Sequence, residues 1–245
     1  MGSGVDELWD AHGHAMWDEY KGQRSFDVVE RDDGFVDTSA SSTYLEPFSS
    51  WPAHERKALK RVRGRVLDVG CGAGRIALYL QEKGFDVTGL DISPLALKVC
   101  RESGLQKTVL ASVHQTKFAP NSFDTVVFFG NNFTSVKVGT PGKAVRVLRD
   151  LWRIVSKEGL ILAEALDPLD TEDPVHLAYQ RRNREKGRLS GQIRIRVRYR
   201  QYKTRWFDWL LLTFSMSKKV VDCLSRKRQQ SDPLGYVRRT SIDLT

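Results

Sequence analysis

Val66-Leu67-Asp68-Val69-Gly70-Cys71-Gly72-Ala73-Gly74-Arg75 decides the fold. Arg65–Val69 is β-branched and reads as a strand, the glycines make a tight turn, and Gly74–Glu82 follows with helical spacing. A strand entering a helix through such a turn brings backbone N–H groups close to a ligand, because a missing Cβ permits the approach. The spacing is G-x-G-x-G with an acid two residues before the first glycine. A pyrophosphate fingerprint is G-x-G-x-x-G and sets a helix N-terminus against an anion. An acidic residue on the loop suits instead a ligand with a cationic amino group. Asp91 ends the next strand, where a carboxylate can accept both hydroxyls of a ribose.

Outward from the loop the pattern alternates. Asp86–Leu90 reads as a strand, Pro94–Glu102 as a helix capped by Ser93, and Thr108–Ala111 as a short strand. Asp124–Phe129 is apolar enough for a central strand buried on both faces. Pro141–Val155 reads as a helix and Leu160–Ala163 as a strand. This rhythm predicts an α/β, Rossmann-like, doubly wound and mostly parallel sheet. Residues 63–168 form that core. Residues 1–62 are expected as an N-terminal helical lid, and 169–245 as a C-terminal helix, a basic β-hairpin cap and closing elements of the sheet.

In the lid, residues 6–20 place Leu8, Trp9, His12, Met16, Trp17 and Tyr20 at helical spacing despite Gly13. Residues 31–50, rich in Ser, Thr, Asp and Gly, read as a mobile loop, and a helix is expected from near Pro52 to about Val62. Beyond the core, Pro174–Lys186 reads as a helix. Gln192–Tyr202 alternates Ile193, Ile195, Val197 and Tyr199 with Arg194, Arg196, Arg198 and Arg200, the pattern of a half-exposed antiparallel strand. Thr204–Phe214 is its expected hairpin partner. Met216–Arg226 reads as a helix and Gly235–Arg239 as the sixth strand, so the hairpin is expected as an insertion.

The loop, Asp91 and three further segments together resemble the class I, Rossmann-like S-adenosylmethionine-dependent methyltransferase family. Val87–Ser93 looks like its second motif, Asn121–Asp124 leading into Thr125–Phe129 like its fourth-strand motif, and Lys157–Leu160 like the turn before its fifth strand. The resemblance covers roughly residues 60–166. It implies S-adenosyl-L-methionine as cofactor, with Asp68, Gly70, Gly72 and Gly74 around the methionine portion, Asp91 on the ribose and Ile92 against the adenine. Cys71, as a small packing residue, Arg75, Phe129 and Gly130 complete the cofactor set. Ser112 stands where the family usually has an aspartate for the adenine amino group; its hydroxyl and the Val113 backbone, or nearby His114 or Gln115, must serve there.

Methyl transfer from a sulfonium is an in-line displacement, so alignment and exclusion of water matter more than an obvious base. The cleft belongs at the carboxyl ends of the strands. There Asn131, Asn132 and Glu164 are the candidate catalytic residues, and Phe133, Tyr20, Tyr44 and Tyr179 the candidate acceptor contacts. Asn131 and Asn132 also fit a simple turn, and the tyrosines of the N-terminal segment a small satellite core.

The 245 residues carry a formal charge of +9. From Val175 onward there are 18 Lys/Arg against 5 Asp/Glu, and before it 21 against 25, so the excess is all C-terminal. With Tyr199, Tyr202, Trp206 and Trp209, the arginine stripe invites an RNA reading; a solvated edge face or an anionic small substrate is favoured over it. Three widely spaced cysteines argue against a zinc site or a disulfide framework and suit the cytoplasm, and no metal is expected. The longest apolar patch, Trp209–Phe214, is too short to span a membrane, and residues 1–7 lack the features of a secretion signal. The expected function is methyl transfer to N or O of a small-molecule acceptor. The alternatives are RNA-directed methyl transfer and a non-catalytic cofactor-binding module.

Overall fold

The structure, a computed structural model, describes residues 6–115, 117–130, 149–164, 166–211 and 243–244. Its N-terminal elements are α1 (Ala11–Tyr20), β1 (Phe26–Arg31), β2 (Val36–Ala40) and α2 (Ala53–Leu59). The core continues with β3 (Arg65–Val69), α3 (Arg75–Glu82), β4 (Asp86–Asp91), α4 (Pro94–Glu102), β5 (Lys107–Leu110), β6 (Phe123–Phe128) and β7 (Val155–Ala163), with residues 149–154 helical before β7. Then come α5 (Pro174–Glu185), β8 (Gln192–Tyr199), β9 (Tyr202–Lys203), β10 (Phe207–Leu210) and β11 (Asp243–Leu244).

The parallel sheet runs β11-β7-β6-β3-β4-β5. Alternate residues of each inner strand enter different cores: Leu67, Val126, Phe128 and Ile161 one, Val66, Val127, Leu160 and Leu162 the other. Burial on both faces is why these strands read as continuous apolar runs. The chain winds outward from β3 to β5, then returns to β6 on β3's other side. That reversal opens a crevice beside the carboxyl end of β3, where the glycine loop lies. At the opposite end, Asp124 Oδ2 accepts from the Arg65 backbone N at 2.9 Å and from Arg65 Nε at 3.0 Å, clamping β6 to β3. The Arg65 guanidinium holds the Asp124 carboxyl below its ordinary range.

The main departure from expectation is the second sheet. β10-β8-β1-β2 is antiparallel, with β9 on β8. Thus β8 and β10 are the expected hairpin, but β8 also pairs with the N-terminal β1, Val29 opposite Val197. Residues 31–50, expected as a loop, hold the end of β1, all of β2 and 3-10 turns at Ser41–Tyr44 and Phe48–Ser50. These strands escape hydrophobic patterning for a physical reason. β1 buries the charged Asp27 and Arg31, and β2 is exposed along its whole length.

Helix α1 starts at Ala11, later than the sequence pattern suggested, because Asp10 caps it by accepting from Gly13 N at 3.1 Å. Its Ala11 and Ala15 pack on Val197 and Tyr199 of the antiparallel sheet, while Met16 packs on Ala73, Ala96 and Val99 beside the glycine loop. The helix is a wedge between the antiparallel sheet and α4. Gly13 is there for space: a Cβ would lie 2.3 Å from Asp10 Oδ2 and 2.4 Å from Ser93 Oγ. The expected helix at Met216–Arg226 and strand at Gly235–Arg239 lie outside the described residues; Asp243–Leu244 takes the place beside β7, in parallel.

Candidate functional site

The turn after β3 is pinned to β4: Gly70 N and Cys71 N both donate to Leu90 O, at 2.8 and 3.1 Å. Gly72, at φ +53°, then turns its N–H to Asp91 Oδ2 at 2.9 Å. Asp91 Oδ1 accepts from Ser93 N at 2.8 Å. A carboxylate offers about four lone-pair sites, so these amides and that of Ile92 orient Asp91 without exhausting it. A Cβ on Gly72 would sit 3.3 Å from Met16 Cε and 3.9 Å from Tyr44 Cδ1, so the N-terminal segment roofs this turn.

Asp68 is 2% exposed, and its Oδ2 has no hydrogen-bond partner among the described residues. Burial, reinforced by the charge of Asp91 and opposed by Arg75, pushes its carboxyl up to about 7. Burial also raises Asp91, against the Ser93 and Gly72 amides that favour its charged form. Two acids in one crevice, one of them with an unpartnered oxygen, suit a ligand that brings a cation and hydroxyl donors.

Other expected cofactor residues separate by orientation. Ile92, beside Asp91, is 43% exposed, as an apolar platform for a ring must be. Ser112 follows β5, next to Ala111, whose N donates to Asp91 O at 3.0 Å. The Val113, Phe129 and Cys71 side chains are buried in the cores, leaving their backbones to face a ligand. Cys71 Sγ lies 4.0 Å from Cys100 Sγ; their mutual contact and burial raise its thiol well above the usual range. Arg75 turns away from the crevice to pair with Glu55 at 2.9 Å, under the Trp51 ring.

At the ends of β6 and β7, Glu164 Oε2 accepts from Gly130 N at 2.7 Å, and Oε1 lies 2.6 Å from His54 Nε2. Proline-initiated α2 thereby brings His54 to the mouth of the crevice. His54, Glu55 and Glu164 place ligand atoms within 4.8 Å of one another, yet His54 and Glu164 pair together and Glu55 pairs with Arg75. Asn131, Asn132 and Phe133 lie outside the described residues.

The three tyrosines divide. Tyr44 faces the glycine turn and donates to Asp27 Oδ2 at 3.3 Å. Tyr20 packs with Trp17 over Ala96 and Val99 of α4. Tyr179 is a structural tie of the cap: its hydroxyl donates to Asp32 at 2.6 Å and accepts from Arg194 N at 3.2 Å. Burial and Asp32 push that phenol up to about 12.

Two contacts had no signature in the residue spacing. His12 Nδ1 lies 2.9 Å from Asp27 Oδ2, and Ser93 Oγ donates to Asp10 Oδ2 at 2.7 Å. Asp27 belongs to a strand too polar to be read as one, so nothing in the sequence aimed it at His12. His12 itself was legible only as part of a helical stripe.

A parallel sheet with its crevice at the β3 switch point, an acid-first glycine turn and a carboxylate ending β4 define the class I, Rossmann-like methyltransferases. The family model "Methyltransferase domain" matches residues 67–163. It is similar to a solved S-adenosylmethionine-dependent methyltransferase from Bacteroides fragilis in complex with S-adenosyl-L-homocysteine, at 26% identity and TM-score 0.75, covering 91% of this chain and 89% of that one. It is 29% identical over 121 residues to the putative methyltransferase YqeM of Bacillus subtilis, covering 47% of each chain. It is 30% identical over 128 residues to malonyl-[acyl-carrier protein] O-methyltransferase of Salmonella typhimurium, covering 50% of this chain and 48% of the relative. The chain thus spans about half the length of these two curated relatives.

Proposed function

We propose that this chain is an S-adenosyl-L-methionine-dependent methyltransferase acting on nitrogen or oxygen of a small-molecule acceptor. The observation that carries the reading is Asp68: a buried carboxylate with an unpartnered oxygen, at the floor of a glycine turn, with Asp91 beside it. A buried carboxylate oxygen without a hydrogen-bond partner is costly unless a ligand supplies one. Asp68 fits the amino group of the cofactor's methionine portion, Asp91 the two ribose hydroxyls, and Ile92 one face of the adenine. When bound, the cofactor supplies an electrophilic methyl group on a sulfonium. Gly130 and Glu164 stand at the carboxyl ends of β6 and β7, where the acceptor must be oriented and water excluded. An acceptor of the O-methyl type is in keeping with the named activity of the Salmonella relative.

The arginine stripe supports the small-molecule reading over an RNA-directed one. Arg194 lies 3.6 Å from Asp208, Arg198 3.1 Å from Glu30 and Arg200 2.9 Å from Asp18; Arg196 pairs with Glu30 and stacks on Trp206. Arginines that share three carboxylates leave a weaker field for a phosphate backbone than four free ones would. A cytoplasmic setting belongs to the same proposal, supported by the odd number and wide spacing of the cysteines. No described helix is long and apolar enough to cross a membrane.

The test is calorimetry with S-adenosylhomocysteine, followed by its release from S-adenosylmethionine in the presence of hydroxy- and amino-bearing small molecules. No binding at millimolar ligand would end the reading. Binding without turnover over a broad panel would favour the non-catalytic module.

A further inference from the structure

We propose that His12 is the general base of the reaction, with Asp27 as its positioning residue, and that the acceptor is a protic group, O–H or N–H, entering between the antiparallel sheet and the glycine turn. The inference rests on the methyltransferase reading. Three elements meet at this place. His12 is on α1, Asp27 on β1 of the antiparallel sheet, and Tyr44 on the 3-10 turn that roofs Gly72. Asp27 is 1% exposed, takes His12 Nδ1 at 2.9 Å and is braced by the Tyr44 hydroxyl at 3.3 Å. This favours one tautomer: with Nδ1–H donating to Asp27, Nε2 carries the lone pair. Among the described residues the hydrogen bond of the His12 ring runs through Nδ1 to Asp27, which leaves Nε2 open, and the side chain is a third exposed. The edge of the same ring meets Tyr44, with centroids 6.4 Å apart.

A hydrogen-bonded histidine–carboxylate pair inside a ligand crevice is more than the fold requires. A core histidine would have both nitrogens satisfied, and a surface histidine would not be backed by a buried acid. The charged groups facing it are Asp10 before α1, Asp27, Tyr44 and Asp91. Burial alone would lower the imidazole; Asp27, with Asp10 and Asp91, outweighs that and leaves it raised. In the step, the acceptor X–H bond breaks and its proton passes to His12 Nε2. The X lone pair forms the new bond to the methyl carbon, and the C–S pair returns to sulfur. Asp27 balances the imidazolium that results.

The experiment needs no known acceptor. Sinefungin resembles S-adenosylhomocysteine but carries a primary ammonium group at the methyl position. If His12 faces that position, its imidazolium repels the ammonium at low pH. The affinity ratio of sinefungin to S-adenosylhomocysteine, by calorimetry on the full chain, should then rise about tenfold from pH 6 to pH 8.5. H12Q should flatten the ratio, and D27N should shift its midpoint to lower pH. Proton NMR of the wild-type imidazoles provides a second reading: sinefungin should lower the His12 pKa relative to S-adenosylhomocysteine. A flat wild-type ratio, a slope that survives in H12Q, or an unmoved His12 resonance would overturn the assignment while leaving the cofactor reading intact. If S-adenosylhomocysteine does not bind the wild type at all, both fall together.

Discussion

Ser93 Oγ donates to Asp10 Oδ2 at 2.7 Å, joining residues 83 positions apart at the point where α1 crosses the start of α4. The same hydroxyl accepts from Ala96 N at 2.9 Å as the cap of α4, and the other Asp10 oxygen accepts from Gly13 N to cap α1. One side-chain pair therefore closes two helix termini and docks them together. Ser93 is two residues from Asp91, so the joint also sets the height of the N-terminal roof above the cofactor crevice.

Gly13 is the sensitive position in this joint. In an exposed helix, Gly→Ala gains up to about 1 kcal/mol. Here the added methyl meets two oxygens at under 2.5 Å, Asp10 Oδ2 and the Ser93 hydroxyl that caps α4. Gly13→Ala is expected to cost about 1–3 kcal/mol, read from urea unfolding midpoints at constant m. It should also weaken S-adenosylhomocysteine binding, because α1 must move off Gly72. A stabilised Gly13→Ala protein would refute the close packing.

Tyr179 supplies the opposite case, a structural residue that resembles a binding one. Tyr179→Phe leaves Asp32 and Arg194 N each short of a partner, at an expected cost of about 1–2 kcal/mol in unfolding free energy. With its hydroxyl committed to Asp32 and Arg194 N, the substitution is expected to leave affinity for S-adenosylhomocysteine unchanged. A tenfold loss of affinity without loss of stability would return Tyr179 to the site.

The parallel core was legible because its strands are buried on both faces and its turn demands glycine. Ser93 was legible as a cap, since Ser-Pro before an apolar run has a local meaning. The antiparallel sheet was half legible. The alternation of β8 is a local signal, whereas β1 hides behind Asp27 and Arg31, charged residues buried because distant partners satisfy them. Asp27 needs His12 and Tyr44, and Arg31 needs His176 besides its near neighbour Asp33, so three other parts of the chain take part. Spacing rules report a residue's own element, so a site assembled from long-range pairs stays invisible to them. Arg75 shows the converse: its place in the motif is correct, but its guanidinium answers to Glu55 and Trp51.

The paired arginines make a prediction about nucleic acid. A free stripe of four arginines on single-stranded RNA would give a log–log salt slope of about −3. With Glu30, Asp18 and Asp208 in place, the slope for an oligouridylate, by fluorescence anisotropy between 50 and 200 mM salt, is expected to be shallower than about −1. A slope near −3, abolished by neutralising Arg194, Arg196 and Arg198, would revive the RNA-directed reading.

Asp68 links cofactor affinity to both pH and stability. Its carboxyl stands near 7 in the folded chain against a reference of 3.8, so the fold binds the proton more tightly than the unfolded chain does. Stability should therefore fall as pH rises from about 4 to 7 and stay low above 7, the reverse of a salt-bridged aspartate. Asp68→Asn removes that penalty. It should stabilise the ligand-free protein at pH 8 by up to about 2 kcal/mol, and by nothing at pH 4. A ligand ammonium needs the charged carboxylate, so wild-type affinity for S-adenosylhomocysteine should drop about tenfold per pH unit below 7. In Asp68→Asn it should be weaker by about 30-fold or more at pH 8, with that pH dependence gone. Calorimetry and thermal unfolding at pH 4, 6 and 8 test all of this on one pair of proteins. A variant that is less stable than wild type at pH 8 and still binds the ligand would show that Asp68 is a packing residue. One that is more stable and no longer binds would show that the protein keeps a buried acid with an unpartnered oxygen for its ligand.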